Sequence, residues 1–180
     1  MNTLQAFVFC PRCGTRFSNR NNTYLACGTC GFKHFDSPKP CAGVIPISAD
    51  GKVLLVERAL DPHKGKLDIL GGFLQSGETF EEGVQREARE ELDLTLSDLT
   101  YIASYSHPYV YQDIEYMLTT AIFTTSISAS IDLKVADDVA GYKFLSPEAV
   151  TNDMLAFPEL GPILEYCRQK ISRSKVSSQD

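Results

Sequence analysis

Apolar positions recur along the chain with two different periods, and the change of period marks the elements. "CAGVIPI" (41–47) and "KVLLVER" (52–58) are strand-like runs that flank "SADG", whose Asp50-Gly51 pair is a hairpin-turn signal. "LDILGGFL" (67–74) is another apolar run, interrupted by Gly71-Gly72. The period then lengthens. Phe80, Val84, Ala88 and Leu92 recur every fourth residue, which predicts an amphipathic helix. Thr79 followed by Glu82 is a capping-box pattern, so the helix is expected to start at Thr79. "LTYIASYS" (99–106), "EYMLTTAIFTTSI" (115–127) and "YKFLS" (142–146) return to strand. Ser146-Pro147 reads as a helix start with proline at the first position. Leu160, Ile163, Leu164, Cys167 and Ile171 predict a last helix.

The first 35 or so residues differ in kind. They are short on helical pattern and rich in Cys, Gly and Asn, and "FDSPKP" (35–40) reads as an extended linker. Strands and helices are mixed without a regular βαβ alternation. The expectation is an α+β chain of two modules, residues 1–38 and 39–172, followed by a polar tail, 173–180, expected to be disordered.

The helix after Thr79 carries Glu81, Glu82, Glu87, Glu90 and Glu91. With Phe80 at zero and about 100° per residue, Val84, Ala88 and Leu92 fall at about 40°, 80° and 120°, the buried arc. Glu91, Glu87 and Glu90 fall at about 20°, 340° and 280°, on the border of that arc, while Glu82, Arg86 and Arg89 lie on the solvent side at about 180–240°. A merely solvated acidic face would place its acids opposite Phe80 and Val84. Like charges on a half-desolvated border repel more strongly than on a wet surface. The physical remedy is a hard divalent cation such as Mg²⁺, which also takes substrate phosphates as ligands.

"CPRCG" and "CGTCG" place cysteines at 10, 13, 27 and 30. Two C-x-x-C pairs at this separation point to one tetrahedral four-cysteine zinc site, closed and therefore structural. Two disulfides or a redox pair are the competing readings, and no secretion signal or βαβ context favours them. Cys41 and Cys167 are left over as small buried apolar residues.

Composition adds limits. At 180 residues and 43% hydrophobic, the chain can build one ordinary domain plus a small module, and no apolar run approaches membrane-spanning length. The expected setting is cytoplasmic. The net charge of −6 argues against strong non-specific nucleic-acid binding. The charge is uneven: residues 1–40 hold five bases (Arg12, Arg16, Arg20, Lys33, Lys39) and the single acid Asp36, or +4, which leaves −10 for the rest. Four thiolates with one Zn²⁺ contribute −2, lowering the ribbon's surplus to about +2, which weakens the case for a nucleic-acid grip there.

"GGFLQSGETFEEGVQREAREELDL" (71–94) closely resembles the signature of the Nudix hydrolases: Gly72, Glu78, Arg86, Glu87, Ala88, Glu90, Glu91 and Leu94 fill its fixed positions with every gap of the right length. Two positions depart from the pattern. Asp93 stands where the family usually has Gly, a helix-ending position that favours a left-handed backbone, and Leu70 where many members have Pro. A four-cysteine ribbon ahead of such a domain is similar to the layout of zinc-containing NADH pyrophosphatases. The resemblance implies a mixed α/β sandwich preceded by a small β zinc ribbon, and Mg²⁺- or Mn²⁺-dependent hydrolysis of a diphosphate linkage in a nucleoside diphosphate derivative such as ADP-ribose, FAD or NADH. By the same resemblance Glu87, Glu90 and Glu91 hold the metal with the Gly71 carbonyl, or one glutamate is the base. Arg86 and Glu78 tie the loop to the helix, and Asp138 or Glu115 supplies a further acid.

The NADH-cleaving members carry a Trp-containing motif after the signature. This sequence has no Trp, and "SYSHPYVYQD" (104–113) stands in that region. Tyr105, His107, Tyr109, Tyr111 and Tyr116 crowd there, either to stack on a base or ribose or as one half-buried sheet face. His63, Lys64 and Lys66 are candidates to meet a phosphate, or an exposed loop. The expected partner is a small-molecule nucleotide, with nucleic acid not expected, no membrane and a homodimer left open. The alternative class is a zinc-ribbon module that binds or senses a nucleotide with little catalysis.

Overall fold

The computed structural model describes residues 1–128 and 130–176, with side chains as far as residue 171. The described residues form two compact units: Met1–Lys39 together with Ser106–Thr119, and Pro40–Tyr105 together with the residues from Thr120 on. The modular boundary expected after residue 38 falls one residue before the break between the units, and the first unit also takes in Ser106–Thr119.

The first unit opens with a one-turn helix, α1 (Thr3–Ala6), capped by the Asn2 side chain on the Gln5 amide. Three short strands follow, β1 (Asn19–Arg20), β2 (Tyr24–Ala26) and β3 (Lys33–Phe35), paired antiparallel in sequence order. Leu4, Cys10, Phe17, Leu25 and Cys27 make its small core. The outer half of a long hairpin belongs to this unit, and its turn sets both Gln112 (φ 48°) and Asp113 (φ 62°) left-handed.

The second unit is a sandwich. Its strands are β4 (Lys39–Ser48), β5 (Val53–Arg58), β6 (Leu67–Asp68), β7 (Leu70–Phe73), β8 (Thr100–Tyr111), β9 (Ile114–Ile127) and β10 (Val139–Leu145). The main order is β10-β5-β4-β9-β8, with β6 on β5 and β7 on β4. Lys39 and Pro40, expected as linker, already begin β4. Side-chain alternation on the strands sorts the apolar residues onto two faces. Leu54, Val56, Ala42, Val44, Ala121 and Phe123 pack beneath the helix α2 (Phe80–Leu92), against its Val84, Ala88 and Leu92. Val53, Leu55, Ile45 and Ile122 face the other way, onto Leu160, Ile163, Leu164 and Cys167 of the last helix, α3 (Gly161–Val176), and the turn before it. This is the mixed α/β sandwich with a small cysteine-bearing sheet that the sequence predicts. Ser146-Pro147 opens only a 3₁₀ turn, Pro147–Ala149, and not a full helix. Helix α3 runs on to Val176, and residues 177–180 of the expected tail lie outside the described residues.

Helix α2 carries the geometry that positions the acidic residues. Thr79 and Glu82 form the reciprocal capping box. Gly83, within the helix, lets the loop before it come close: a Cβ there would stand 2.2 Å from Leu74 Cδ2. At the other end Asp93 is left-handed (φ 53°, ψ 31°), and the Leu94 amide reaches back to the Ala88 carbonyl at 3.0 Å. Asp93 also pairs with Lys134 at 2.8 Å, but both side chains are open to solvent, so that pair adds little. Asp93→Gly should therefore raise stability by about 0.5–1 kcal/mol, and Asp93→Val should lower it by more than about 1 kcal/mol, because a branched Cβ is costly in the left-handed region. Urea-denaturation midpoints measure both; equal midpoints for the two variants would show that the position imposes no left-handed constraint.

Candidate functional site

The acids of α2 are organised by one guanidinium. Arg86 donates from Nε to Glu78 Oε1 (2.6 Å) and from Nη2 to Glu78 Oε2 (3.0 Å), a two-point pair that ties the loop to the helix. Nη1 donates to Glu87 Oε1 and to Glu90 Oε2, each at 2.8 Å, and Nη2 also to the Phe73 carbonyl at 2.9 Å. All five N–H donors of an arginine are then in use. The helical wheel put Arg86 on the solvent side. In the structure the loop wraps that flank, and the Arg86 side chain is only 19% exposed. Glu90 lies at the outer edge, while Glu87 is half-buried and Glu91 buried. Phe80, the reference for the buried arc, is itself 37% exposed.

Two glycines on β7 bring backbone directly under the buried carboxylates. Gly71 has φ +142°, and a Cβ there would sit 2.2 Å from the Ala42 carbonyl oxygen, so no side chain fits. Its amide donates to Glu91 Oε2 at 3.2 Å. A Cβ on Gly72 would meet Glu87 Oε1 at 2.5 Å. Phe73, next in the strand, is 47% exposed.

Burial dominates the electrostatics. It raises Glu87 above the ordinary carboxylate range against the opposing pull of Arg86, with Glu90 and Asp138 adding to the rise. Glu91 is pushed up to about 9, first by burial, then by the negative charges of Glu87 and Asp138. The guanidinium holds Glu78 low. Among the described residues no cationic side chain pairs with Glu91, and the Gly71 amide is its one hydrogen-bond donor. A buried hard-oxygen donor without a counter-charge fits a divalent cation of the Mg²⁺ kind. The fit is of chemistry and not of a finished cage, since Glu87 and Glu90 turn toward Arg86.

The other expected residues fall in several places. Asp138 lies within electrostatic reach of Glu87 and Glu91. Glu115 is on the outer half of β9, in the first unit, where its amide donates to the Met1 carbonyl. His107, Tyr109 and Tyr111 lie on the outer half of β8, also in the first unit; His107 is buried and Tyr111 exposed. Tyr116 sits under Lys39 Nζ, 5.9 Å from the ring centroid. Tyr105 remains with the second unit, its hydroxyl bonded to Thr120. His63 stacks edge-on against Phe157 at 5.3 Å, and Lys66 donates to the Asp153 carbonyl. Lys64 is exposed.

One acid went unread in the sequence. Asp68, on β6, is buried, accepts from Arg58 Nη1 at 2.9 Å and from the Ile69 amide at 2.8 Å, and adds to the negative field at Glu91. Its only sequence signal was an acid inside an apolar run, "LDIL", with an arginine ten residues before it.

In the first unit Cys10, Cys13, Cys27 and Cys30 place their four sulfurs within 4.8 Å of one another, and all are free thiols. Cys10 and Cys30 are 3.7 Å apart, Cys13 and Cys27 3.5 Å. Four sulfurs around one zinc at tetrahedral angles lie about 3.8 Å apart, so the cluster could hold a zinc ion. Hydrogen bonds from the Thr15 side chain and backbone lower the Cys13 thiol to about 6, favouring the thiolate that a metal needs. Among the described residues this is the one group of three or more ligand atoms gathered so closely.

Fold and site together define a helix-borne carboxylate cluster on an α/β sandwich, in a chain that also carries a four-cysteine ribbon. The NUDIX domain model matches residues 37–167, and the chain belongs to that family. The NAD-capped RNA hydrolase NudC of Vibrio atlanticus is 31% identical over 172 residues, covering 94% of this chain and 58% of that protein. The NAD-capped RNA hydrolase of Schizosaccharomyces pombe is 28% identical over 192 residues, 97% of this chain and 50% of that one. The chain thus spans only about half the length of these relatives. Among solved structures, a NUDIX hydrolase from Nitrosomonas europaea superposes with a TM-score of 0.61 at 25% identity, over 88% of this chain and 91% of that one. The NUDIX domain of Shewanella oneidensis NrtR complexed with ADP ribose shares the fold with a TM-score of 0.63 at 21% identity, over 76% and 90%. No helix among the described residues is long and apolar enough to cross a membrane.

Glu91 keeps its proton to about pH 9 in the fold, against an ordinary value of 4.5. Above about pH 4.5 the folded chain therefore binds more protons than the unfolded chain, and without a bound cation its stability falls as pH rises toward 9. Glu91→Gln should flatten that slope and add at least about 1.4 kcal/mol at pH 8, the free energy of a tenfold change in proton affinity. Melting curves against pH, with no divalent cation added, test this; parallel curves for parent and variant would remove Glu91 as the source.

Proposed function

We propose that the protein hydrolyses the diphosphate linkage of nucleoside diphosphate derivatives, using a divalent cation held by Glu87, Glu90 and Glu91 with the Gly71 carbonyl. The observation that carries this reading is the buried Glu91 carboxylate, which meets one backbone amide and no cationic side chain among the described residues. A cation there supplies charge neutralisation on the diphosphate oxygens and a lower pKa for the attacking water. The chain's own part is positional. Arg86 fixes Glu87 and Glu90 relative to the loop through Glu78 and the Phe73 carbonyl. Gly72 keeps a side chain out of the space the Glu87 carboxylate uses, and Gly71 lets β7 lie close against Ala42 and Gly43 of β4. Asp138 adds negative charge that favours a cation over a neutral ligand. The exposed Phe73 ring offers an apolar face for a base beside the carboxylates.

The substrate class rests on two supports that pull in one direction. Two of the relatives are named for NAD-capped RNA, in which a dinucleotide is joined to an RNA chain. The segment that stands where the NADH-cleaving members carry a Trp-containing motif has no Trp, and its sequence offers no hydrogen-bonding group reserved for nicotinamide. We therefore assign dinucleotide diphosphates broadly, free or at an RNA end. The net charge of −6 weighs against binding of polymer by the chain's overall field, and leaves contact through the locally positive residues 1–40 within reach. In the ribbon we assign Zn²⁺ to the four cysteines, as a structural ion.

Three measurements test the reading. Hydrolysis should require Mg²⁺ or Mn²⁺, and Glu91→Gln should lose at least about two orders of magnitude in kcat, the scale of one main electrostatic stabiliser; undiminished turnover in Glu91→Gln would sink the site. The kcat/KM values for NADH, ADP-ribose, FAD, NAD-capped RNA and a nucleoside triphosphate should show less than about a hundredfold preference for NADH over ADP-ribose or FAD. Activity confined to triphosphates would reject the substrate class. Elemental analysis should find about one zinc per chain, and Cys27→Ser should lose it and destabilise residues 1–35 without unfolding α2.

A further inference from the structure

The ribbon sheet has one face that its core does not use. Across β2 and β3, Leu25 opposes His34, while Tyr24 opposes Phe35 and Ala26 opposes Lys33. Alternation along a strand sends Leu25, fully buried, into the cysteine-lined core and puts Tyr24, Ala26, Lys33 and Phe35 on the opposite face. The Tyr24 and Phe35 rings lie 5.4 Å apart at 54°, with Lys33 Nζ 5.1 Å from the Tyr24 centroid. Phe35 is 55% exposed and Lys33 is exposed. Two neighbouring rings with an ammonium over one of them are costly to leave in water and add nothing to the core.

We propose that this face binds single-stranded RNA, with bases stacking on Phe35 and Tyr24 and a backbone phosphate drawn to Lys33. Charge favours a polyanion over an apolar protein partner. Residues 1–35 contain Arg12, Arg16, Arg20 and Lys33 and not one acid, and the four thiolates with a divalent ion leave that stretch still positive. Arg20 is spent on the Leu4 and Phe7 carbonyls, whereas Arg12 and Arg16 are exposed. Base stacking on aromatics tolerates any sequence, which suits a protein acting at the ends of different RNAs. Duplex RNA, whose bases are already stacked, gains nothing from the rings. The inference rests on the proposed hydrolase reading only for its choice of RNA as the polymer.

Fluorescence anisotropy of a 5′-hydroxyl single-stranded RNA of about 12 nucleotides, titrated with the zinc-loaded full chain, tests the face without any hydrolysis. Such an RNA has no diphosphate linkage, so failure of the hydrolase reading leaves this result intact. Binding should weaken between about 50 mM and about 200 mM salt. Phe35→Ala and Lys33→Glu should each weaken it by at least about fivefold, with zinc content and melting temperature kept, and duplex RNA should compete poorly. Absence of RNA binding by the parent, or unchanged binding in both variants, overturns the proposal. So does a parent that sediments as a dimer and becomes a monomer in Phe35→Ala without losing RNA, which would give the face to a second copy.

Discussion

The acidic region of this protein depends on the Arg86 guanidinium. Five donors on one planar group join the loop residue Glu78, the strand carbonyl of Phe73 and the helix residues Glu87 and Glu90. An ammonium could not make that junction, since it offers three donors and no fixed fork. The loop, the end of β7 and α2 are therefore locked to one another through a charge. Pairs of this kind contribute little when exposed, but here the guanidinium and Glu78 are about four-fifths covered, and loss of one partner would strand the others.

Glu91 stands outside that arrangement, and the contrast has consequences. Arg86 offsets part of the cost of burying Glu87, while no cationic side chain among the described residues offsets it for Glu91, whose proton affinity rises accordingly. Asp68 and Asp138 deepen the negative field there. A fold concerned only with stability would carry Gln at this position. A carboxylate kept against that pressure is explicable as a site whose counter-charge comes from solution.

Much of this was legible in the sequence because it is local. The Thr79–Glu82 box, the left-handed Asp93 and the four-cysteine cluster each depend on residues a few positions apart or on a fixed spacing, and each is present in the structure. The burial of Val84, Ala88 and Leu92 followed from a single period. What the sequence hid is long-range. Arg86 reads as solvent-facing on a wheel because a wheel has no neighbours, and only the Leu74 approach to Gly83 shows how the loop covers it. Asp68 looks like an interruption until β6 pairs with β5 and brings Arg58 alongside. The assignment of Ser106–Thr119 to the ribbon's unit had no local signal, since β8 and β9 are continuous strands whose outer halves keep the same pattern.

The two acid- and thiol-bearing clusters solve opposite problems. The ribbon's core is five side chains, two of them cysteines, which is too little apolar area to hold a sheet of two- and three-residue strands. Four thiolates within 4.8 Å of one another repel unless an ion joins them, so the free energy of binding an ion there would be folding free energy. The sandwich needs no such help. One apolar layer packs on α2 and the other on α3, and the cost of the acids is one that these layers can bear. A soft, closed donor set belongs where the ion must stay, and hard oxygens on a helix border belong where it must reach a substrate. The two donor sets belong to different units of the described residues.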